Sequence, residues 1–273
     1  MNTAAVTATI RYLVPGVSRP VYIASEAGAD AAINVGAEFD EREVTVLNAR
    51  ELAPPASLDR QGFCLVPHPT SITDFYNLEP MRLAYEAEIT ELVLAASGAD
   101  SALVFDHTLR SDSQQVRGQR TTREPAAVIH NDYTDASAAK RLRDLLPADE
   151  AEQRLAGRFA IINLWRSVNG PVINSPLALC DFSTARPSDF IASERRAKER
   201  TGELELVTYN AAHRWYYYPQ QQFDEALLIK TFDSAVDGRA RRVAHTAFNN
   251  PLADANAPPR ESIESRLLVF FDQ

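Results

Sequence analysis

From residue 159 to its end, the chain is a succession of short runs rich in β-branched and aromatic residues: 159–165 (FAIINLW), 204–209, 214–218, 227–232 and 263–271. Runs of this length bounded by turn residues predict strands, and one charged, helix-like segment at 188–200 interrupts them. Upstream, residues 6–14 (VTATIRYLV) and 43–48 (EVTVLN) read as strands, with a further short one at 61–66 after the Pro54-Pro55 turn. Residues 80–97 place Met81, Ala84, Ile89, Leu92, Val93 and Ala96 at roughly helical spacing, opened by Pro80 and closed by Gly98. Residues 101–106 predict another strand, and 135–146 and 148–155 two helices. Between them, 111–124 reads as an exposed, mobile loop whose Arg117, Arg120 and Arg123 can steer an anionic substrate. Many strands with flanking helices, and no repeat or linker, predict a mainly β fold with flanking α, a β-barrel or jelly roll. It is read as one domain, 1–273, in which residues 1–100 supply N-terminal strands and a helix packing on a core built by 101–273.

Composition narrows the functional classes. A net charge of −9 disfavours a general binder of nucleic acid or anionic membrane. No apolar run approaches the roughly 18 residues that a membrane span needs, and the first fifteen residues lack the basic start and apolar stretch of a signal peptide. Cys64 and Cys180 are far apart and in no CxxC pair, which argues against a disulfide framework or a structural zinc site. The expectation is a cytoplasmic protein acting on a small molecule; the oligomeric state stays open, a homodimer included.

The chemistry-bearing stretch is AAVIHNDYT at residues 126–134. In an extended strand, positions i and i+2 face the same way, so His130 and Asp132 can offer an imidazole nitrogen and a carboxylate oxygen to one cation. His245, in the extended segment 242–248 and 113 positions after Asp132, is the candidate third ligand. Two imidazoles and one carboxylate on one side of a metal leave positions open for substrate and oxygen, the facial triad of non-haem Fe(II) oxygenases. Pro258-Pro259 then introduces Arg260, Ser262, Glu264 and Arg266, which share one strand face. A guanidinium with a hydroxyl two positions on suits a ligand carboxylate, Arg260 with Ser262 being preferred and Arg266 the alternative or an additional partner. Trp165, Arg166, His213 and Arg110 are candidate substrate contacts. His107, beside Arg110, is read equally as a hydrogen-bonded structural histidine.

The pattern of His130-x-Asp132, His245 and Arg260-x-Ser262 resembles the HxD…H…RxS arrangement of Fe(II)/2-oxoglutarate-dependent oxygenases. Longer stretches carry a more specific resemblance: LDRQGF at 58–63, FDHTLR at 105–110, NLWR at 163–166, PLALCD at 176–181, HRWYY at 213–217, KTFDS at 230–234 and HTAF at 245–248. These resemble the CmcJ/AsaB-like, gibberellin desaturase-like family of such oxygenases over residues 44–271. The resemblance implies a double-stranded β-helix (jelly-roll, cupin-like) core, Fe(II), and 2-oxoglutarate and O2 as co-substrates. It also implies attack on an unactivated C–H bond of a small molecule, ending in hydroxylation, desaturation or oxidative cyclisation. A metal-dependent cupin isomerase or hydrolase, and a non-catalytic binding protein on the same fold, are the alternatives that the residues leave open.

Overall fold

The computed structural model describes residues 5–16, 19–24, 32–120, 122–197 and 200–272. In chain order its strands are β1 (Ala5–Leu13), β2 (Val21–Ile23), β3 (Ile33–Val35), β4 (Phe39–Asn48) and β5 (Phe63–Pro67), followed by helix α1 (Arg82–Ser97) and β6 (Ser101–Ser111). Helix α2 (Gln114–Gln119), β7 (His130–Asn131), α3 (Asp135–Leu145) and α4 (Ala148–Ala156) come next. The rest is nearly all strand: β8 (Arg158–Ser167), β9 (Leu177–Cys180), β10 (Phe190–Ala197), β11 (Arg200–Val207), β12 (Trp215–Tyr217), β13 (Glu225–Asp233), β14 (His245–Ala247) and β15 (Glu261–Phe271).

Two sheets carry these strands among the described residues. The larger runs β1-β4-β12-β9-β14-β7-β11-β10-β2-β3 and the smaller β5-β13-β8-β15-β6. Their facing sides form the jelly roll, with Phe63, Trp165, Leu179, Tyr216, Leu227 and Val243 packed between them. The period-2 alternation of β15 shows how a strand serves two layers at once. Ile263, Leu267 and Val269 turn outward into a cluster with Tyr85, Ile89 and Val93 of α1. Ser262, Glu264 and Arg266 lie on the opposite face of the strand, and farther along that face Leu268 and Phe270 pack with Ala138 and Leu142 of α3 and Ala151 of α4. Helix α1 stops where Gly98 adopts φ 69°, its N–H donating to the Leu94 carbonyl, a conformation that costs glycine little.

The larger sheet bends back on itself. Leu13 at the end of β1 bridges Thr208 just beyond β11, which wraps β1 around a second core of Ile10, Tyr12, Ile129, Trp215, Tyr217 and Phe248. The N-terminal strands thus close the outer side of the strands that carry the histidines.

Two expectations are corrected. The charged segment expected as a helix at 188–200 forms strand β10, antiparallel to β11 and parallel to β2; residues 198 and 199 lie outside the described residues. Pairing on both edges, and a Ser193 Oγ–H bond of 2.7 Å to the Pro20 carbonyl, outweigh the helical preference of its Glu and Arg residues. The stretch 111–124, expected as a loop, contains α2 and returns to β6 through Ser111 N–H to Arg123 O (2.9 Å) and Arg123 N–H to Leu109 O (3.0 Å); Thr121 lies outside the described residues. Among the described residues no helix is long and apolar enough to cross a membrane.

One glycine is sterically obligatory. Gly62 has φ +89°, and a Cβ there would sit 2.3 Å from Val243 Cγ2 and 3.3 Å from Ala240 Cβ. Gly62→Ala is expected to lower stability by about 2–4 kcal/mol, overpacking adding to left-handed strain, measured as a fall in the urea midpoint at unchanged m-value. An unchanged midpoint would show that the 240–243 segment yields freely.

Candidate metal centre

Strand β7 is only two residues long, but it lies between two longer partners. His130 is paired with Leu206 of β11 on one side and with His245 of β14 on the other. The two histidines are therefore cross-strand neighbours, with ring centroids 4.4 Å apart. Asn131 turns the other way, fully buried, and donates to Glu205 Oε2 and the Tyr133 carbonyl, both at 2.8 Å. Asp132 returns to the face of His130, its Oδ1 3.5 Å from His130 Nε2. A capping box then starts α3: Thr134 Oγ1 accepts from Ser137 N–H at 3.0 Å and Ser137 Oγ from Thr134 N–H at 2.9 Å. That cap fixes the direction in which the backbone leaves Asp132. The result is a cluster in which one ligand-type atom each from His130, Asp132 and His245 lies within 4.8 Å of the others.

Hydrogen bonds decide which atoms are available. His130 Nδ1 lies 2.9 Å from the Val128 carbonyl, and His245 Nδ1 lies 2.9 Å from the Val243 carbonyl. A carbonyl only accepts, so each Nδ1 carries the proton and each Nε2 presents a lone pair. Asp132 Oδ2 accepts from Asn163 Nδ2 at 2.7 Å and from Arg266 Nε at 3.1 Å. Oδ1 remains for a cation. Burial opposes the charge on Asp132, but Arg266 and the two histidines hold its carboxyl well below the usual range. Burial, with His130 alongside, pushes His245 down to about 4. At neutral pH the cluster is thus one carboxylate and a neutral His245, a donor set matched to a divalent metal.

Arg260 is 2% exposed, and its Nη1 donates to the Ser175 carbonyl at 2.6 Å. Its Nε and Nη2, and the hydroxyl of Ser262, are buried with no hydrogen-bond partner among the described residues. Its guanidinium carbon lies 5.4 Å from the centre of the Trp165 ring. Burial, and the like charge of Arg110, lower its pKa to about 10, so it remains cationic. A buried cation with two unpaired nitrogens is costly; a carboxylate ligand would complete it.

Arg266 stands differently. Its guanidinium already meets Asp132, Asp106 at 2.5 Å, and Glu264. Burial works against this cation, and the three carboxylates raise its pKa well above the ordinary value. It is built into the support of the His130, Asp132 and His245 cluster. Asn163, Asp106 and Glu264 belong to the same support and were not singled out as site residues from the sequence. The signal for Asn163 was a lone amide in the otherwise apolar run FAIINLW. Of the candidate substrate contacts, Trp165 faces the inter-sheet space under Arg260, and Arg110 lines a cavity of about 180 Å³ that also reaches His130, Asp132 and Arg266. Arg166 and His213 are elsewhere. Arg166 donates to the carbonyls of His68 (2.7 Å) and Phe223 (2.9 Å) on the outer side of β8. His213 sits against Tyr12 Oη (3.2 Å) and Asp189 (3.1 Å) in the second core. His107 takes its structural role, bonded to Ser265 and Glu86.

Several known proteins are similar to this chain. A family profile described as YDMC, oxidoreductase/YMDC permease-like domain, matches residues 10–270. The hydroxylase/desaturase CTB9 of Cercospora beticola is 33% identical over 260 residues, covering 86% of this chain and 78% of that protein. The Fe(II)/2-oxoglutarate-dependent dioxygenase nvfI of Aspergillus novofumigatus is 34% identical over 190 residues, 68% of this chain and 66% of that one. A solved structure of the iron and alpha-ketoglutarate-dependent endoperoxidase NvfI superposes with a TM-score of 0.82 at 27% identity, covering 99% of each chain.

The neutral state of His245 has a consequence for the metal-free protein. Its folded pKa of about 4 lies below the ordinary 6.5, so between those values the unfolded chain holds the extra proton, and stability falls as pH drops through that window. About 2–3 kcal/mol of pH-dependent loss is expected from this group. Thermal unfolding of His245→Gln between pH 7 and 4 should show a correspondingly shallower decline; parallel curves would contradict the assignment.

Proposed function

The chain belongs to the oxidoreductase family of these relatives, with its Fe(II)/2-oxoglutarate-dependent hydroxylases and desaturases, and we propose that His130, Asp132 and His245 hold its iron. It is a non-haem Fe(II)- and 2-oxoglutarate-dependent dioxygenase of small-molecule secondary metabolism. Iron, 2-oxoglutarate and O2 together supply the oxidising power to remove hydrogen from an unactivated C–H bond, with succinate and CO2 as co-products.

The observation that carries the residue assignment is the convergence of two imidazoles, each with Nδ1 tied back to the carbonyl two residues earlier, on the one free oxygen of Asp132. These backbone ties fix the imidazole planes. Arg266 and Asn163 hold the second carboxylate oxygen, so Asp132 presents a single donor atom and the remaining positions stay open. Arg260 and Ser262 grip the distal carboxylate of 2-oxoglutarate, which gives their orphaned donors a partner. Trp165 forms an apolar floor beneath that guanidinium and keeps water from it. Arg266 is engaged on all sides by carboxylates and is the weaker candidate for this grip.

One catalytic domain fits strand pairing in which β4 enters the larger sheet beside β12, and β5 the smaller beside β13. The acidic net charge favours a small molecule over nucleic acid as partner, and free Cys64 and Cys180 agree with a reducing, cytoplasmic setting.

Anaerobic addition of Fe(II) and 2-oxoglutarate is expected to give the weak metal-to-ligand absorption band in the green. His245→Ala should abolish iron binding, whereas His213→Ala should retain one iron per chain. Loss of iron in both or in neither overturns the ligand choice. Arg260→Gln should weaken 2-oxoglutarate binding by about 10-fold or more, as expected for loss of a charged hydrogen-bonded pair, at unchanged iron affinity. An unaltered titration would move the grip to another residue.

A further inference from the structure

The cavity that reaches His130 and Asp132 is walled by five arginines, Arg11, Arg110, Arg123, Arg195 and Arg266, in a chain whose net charge is −9. Its carboxylates are Asp132 and Glu124. Asp132 is held by Arg266, and Glu124 Oε1 accepts from the Ala32 N–H at 2.8 Å. Arg11 lies over the Phe39 ring and Arg195 has a partner of its own, which leaves Arg110 and Arg123. Among the described residues neither has a carboxylate within ion-pair distance. Arg110 spends Nη1 on the Glu124 main-chain carbonyl at 2.8 Å, and the half-buried Arg123 guanidinium makes no hydrogen bond among the described residues. Of the three arginines in the segment 111–124, Arg117 donates to the Ser111 carbonyl and Arg120 lies over the Tyr76 ring; only Arg123 lines the cavity.

The fold holds these two like charges together. Arg110 and Arg123 are partners in a β-bridge, and the hydrogen bonds on either side of it tie the returning segment to β6. Burial, then the charge of Arg110 and that of Arg266, lower the pKa of Arg123, and the more distant carboxylate of Asp106 offsets them only in part. This repulsion is relieved by an anion between the guanidiniums. The rest of the wall is largely apolar, including Tyr22, Ala126, Val128, Leu204 and Leu206. Deep pockets that combine an apolar lining with a few convergent charges bind organic molecules carrying a matching charged group.

We propose that Arg110 and Arg123 form a subsite for an anionic group of the organic substrate, a carboxylate or its equivalent. The apolar body of the substrate lies on Tyr22, Val128, Leu204 and Leu206, within the cavity that reaches the iron ligands. This rests on the reading that His130, Asp132 and His245 hold the iron and that Arg260 takes the 2-oxoglutarate carboxylate. It sorts two anions: the co-substrate goes to Arg260 and Ser262, which do not line this cavity, and the substrate goes to the arginine pair that does.

The test uses two dyes of one skeleton, the anion 1-anilinonaphthalene-8-sulfonate and its neutral parent N-phenyl-1-naphthylamine. Both are titrated by fluorescence into the protein under argon with Fe(II) and saturating 2-oxoglutarate. The anionic dye is expected to bind at least 10-fold more tightly than the neutral one. Arg123→Gln and Arg110→Gln should each weaken the anion about 5-fold or more and leave the neutral dye unchanged, and Arg120→Gln should alter neither. Equal affinity for the two dyes, or anion binding indifferent to both cavity arginines, overturns the subsite. The same variants are titrated with 2-oxoglutarate through the green absorption band. If Arg123→Gln abolishes that band while Arg260→Gln retains it, the arginine pair is the co-substrate's site, and both this proposal and the assignment of Arg260 fail. If Arg260→Gln alone weakens the band and the anionic dye ignores Arg123, only the substrate proposal falls. Circular dichroism of each variant verifies that the fold is kept.

Discussion

Arg266 reaching from β15 to Asp132 is the contact on which the geometry of the centre depends. Asp132 follows β7 of the larger sheet, and Arg266 belongs to the smaller one, so the ion pair ties the two layers together in the wall of the cavity. A buried pair of this kind repays its desolvation only when further hydrogen bonds saturate both partners. Here Asn163 shares the Asp132 oxygen, and Asp106, Thr108 and Glu264 complete the guanidinium. Every member of that group comes from β6, β8 or β15, three long strands that lie side by side in the smaller sheet. Rigid strands supply the second layer of support, and the short β7 and β14 present the donors.

The polar groups around the centre fall into two classes. Asp132, Asp106 and Glu264 all engage the one guanidinium of Arg266. Arg260 and Ser262 keep donors without a partner among the described residues, and neither Arg110 nor Arg123 has a carboxylate within ion-pair distance there. Folding does not retain unpaired buried donors for stability, because each carries a desolvation cost with no compensating bond. The unpartnered donors of Arg260 and Ser262 at the start of β15 read as a cost tolerated for ligand recognition.

Much of this was legible in the chain. The period-2 alternation of β15 put Arg260, Ser262, Glu264 and Arg266 on one face, and the i, i+2 relation placed Asp132 beside His130, because both rest on local backbone geometry. What the residues alone left undetermined was long-range. Cross-strand pairing of His130 with His245 over 115 positions has no local signal, and neither has the division of labour between Arg260 and Arg266, which depends on where Asp106 and Asp132 come to lie. Residues 188–200 misled for a related reason: their Glu and Arg residues favour a helix in isolation, while strand β11 on one side and β2 on the other offered better pairing. Arg166 and His213 sit in motif-like stretches, but strand parity turns Arg166 to the outer side of β8, and His213, in the turn before β12, is held by Tyr12 and Asp189.

The clearance at Gly62 connects the outer turn to the chemistry by a route that no polar contact suggests. Val243, whose methyl fills the space a side chain at 62 would need, is also the residue whose carbonyl orients His245. Positions 62 and 243 are therefore a steric pair with a shared volume: a bulkier residue at one is admissible only with a smaller residue at the other. Any exchange between them would re-aim an imidazole, so the size of an aliphatic side chain in the core becomes a means of adjusting the geometry of a donor atom.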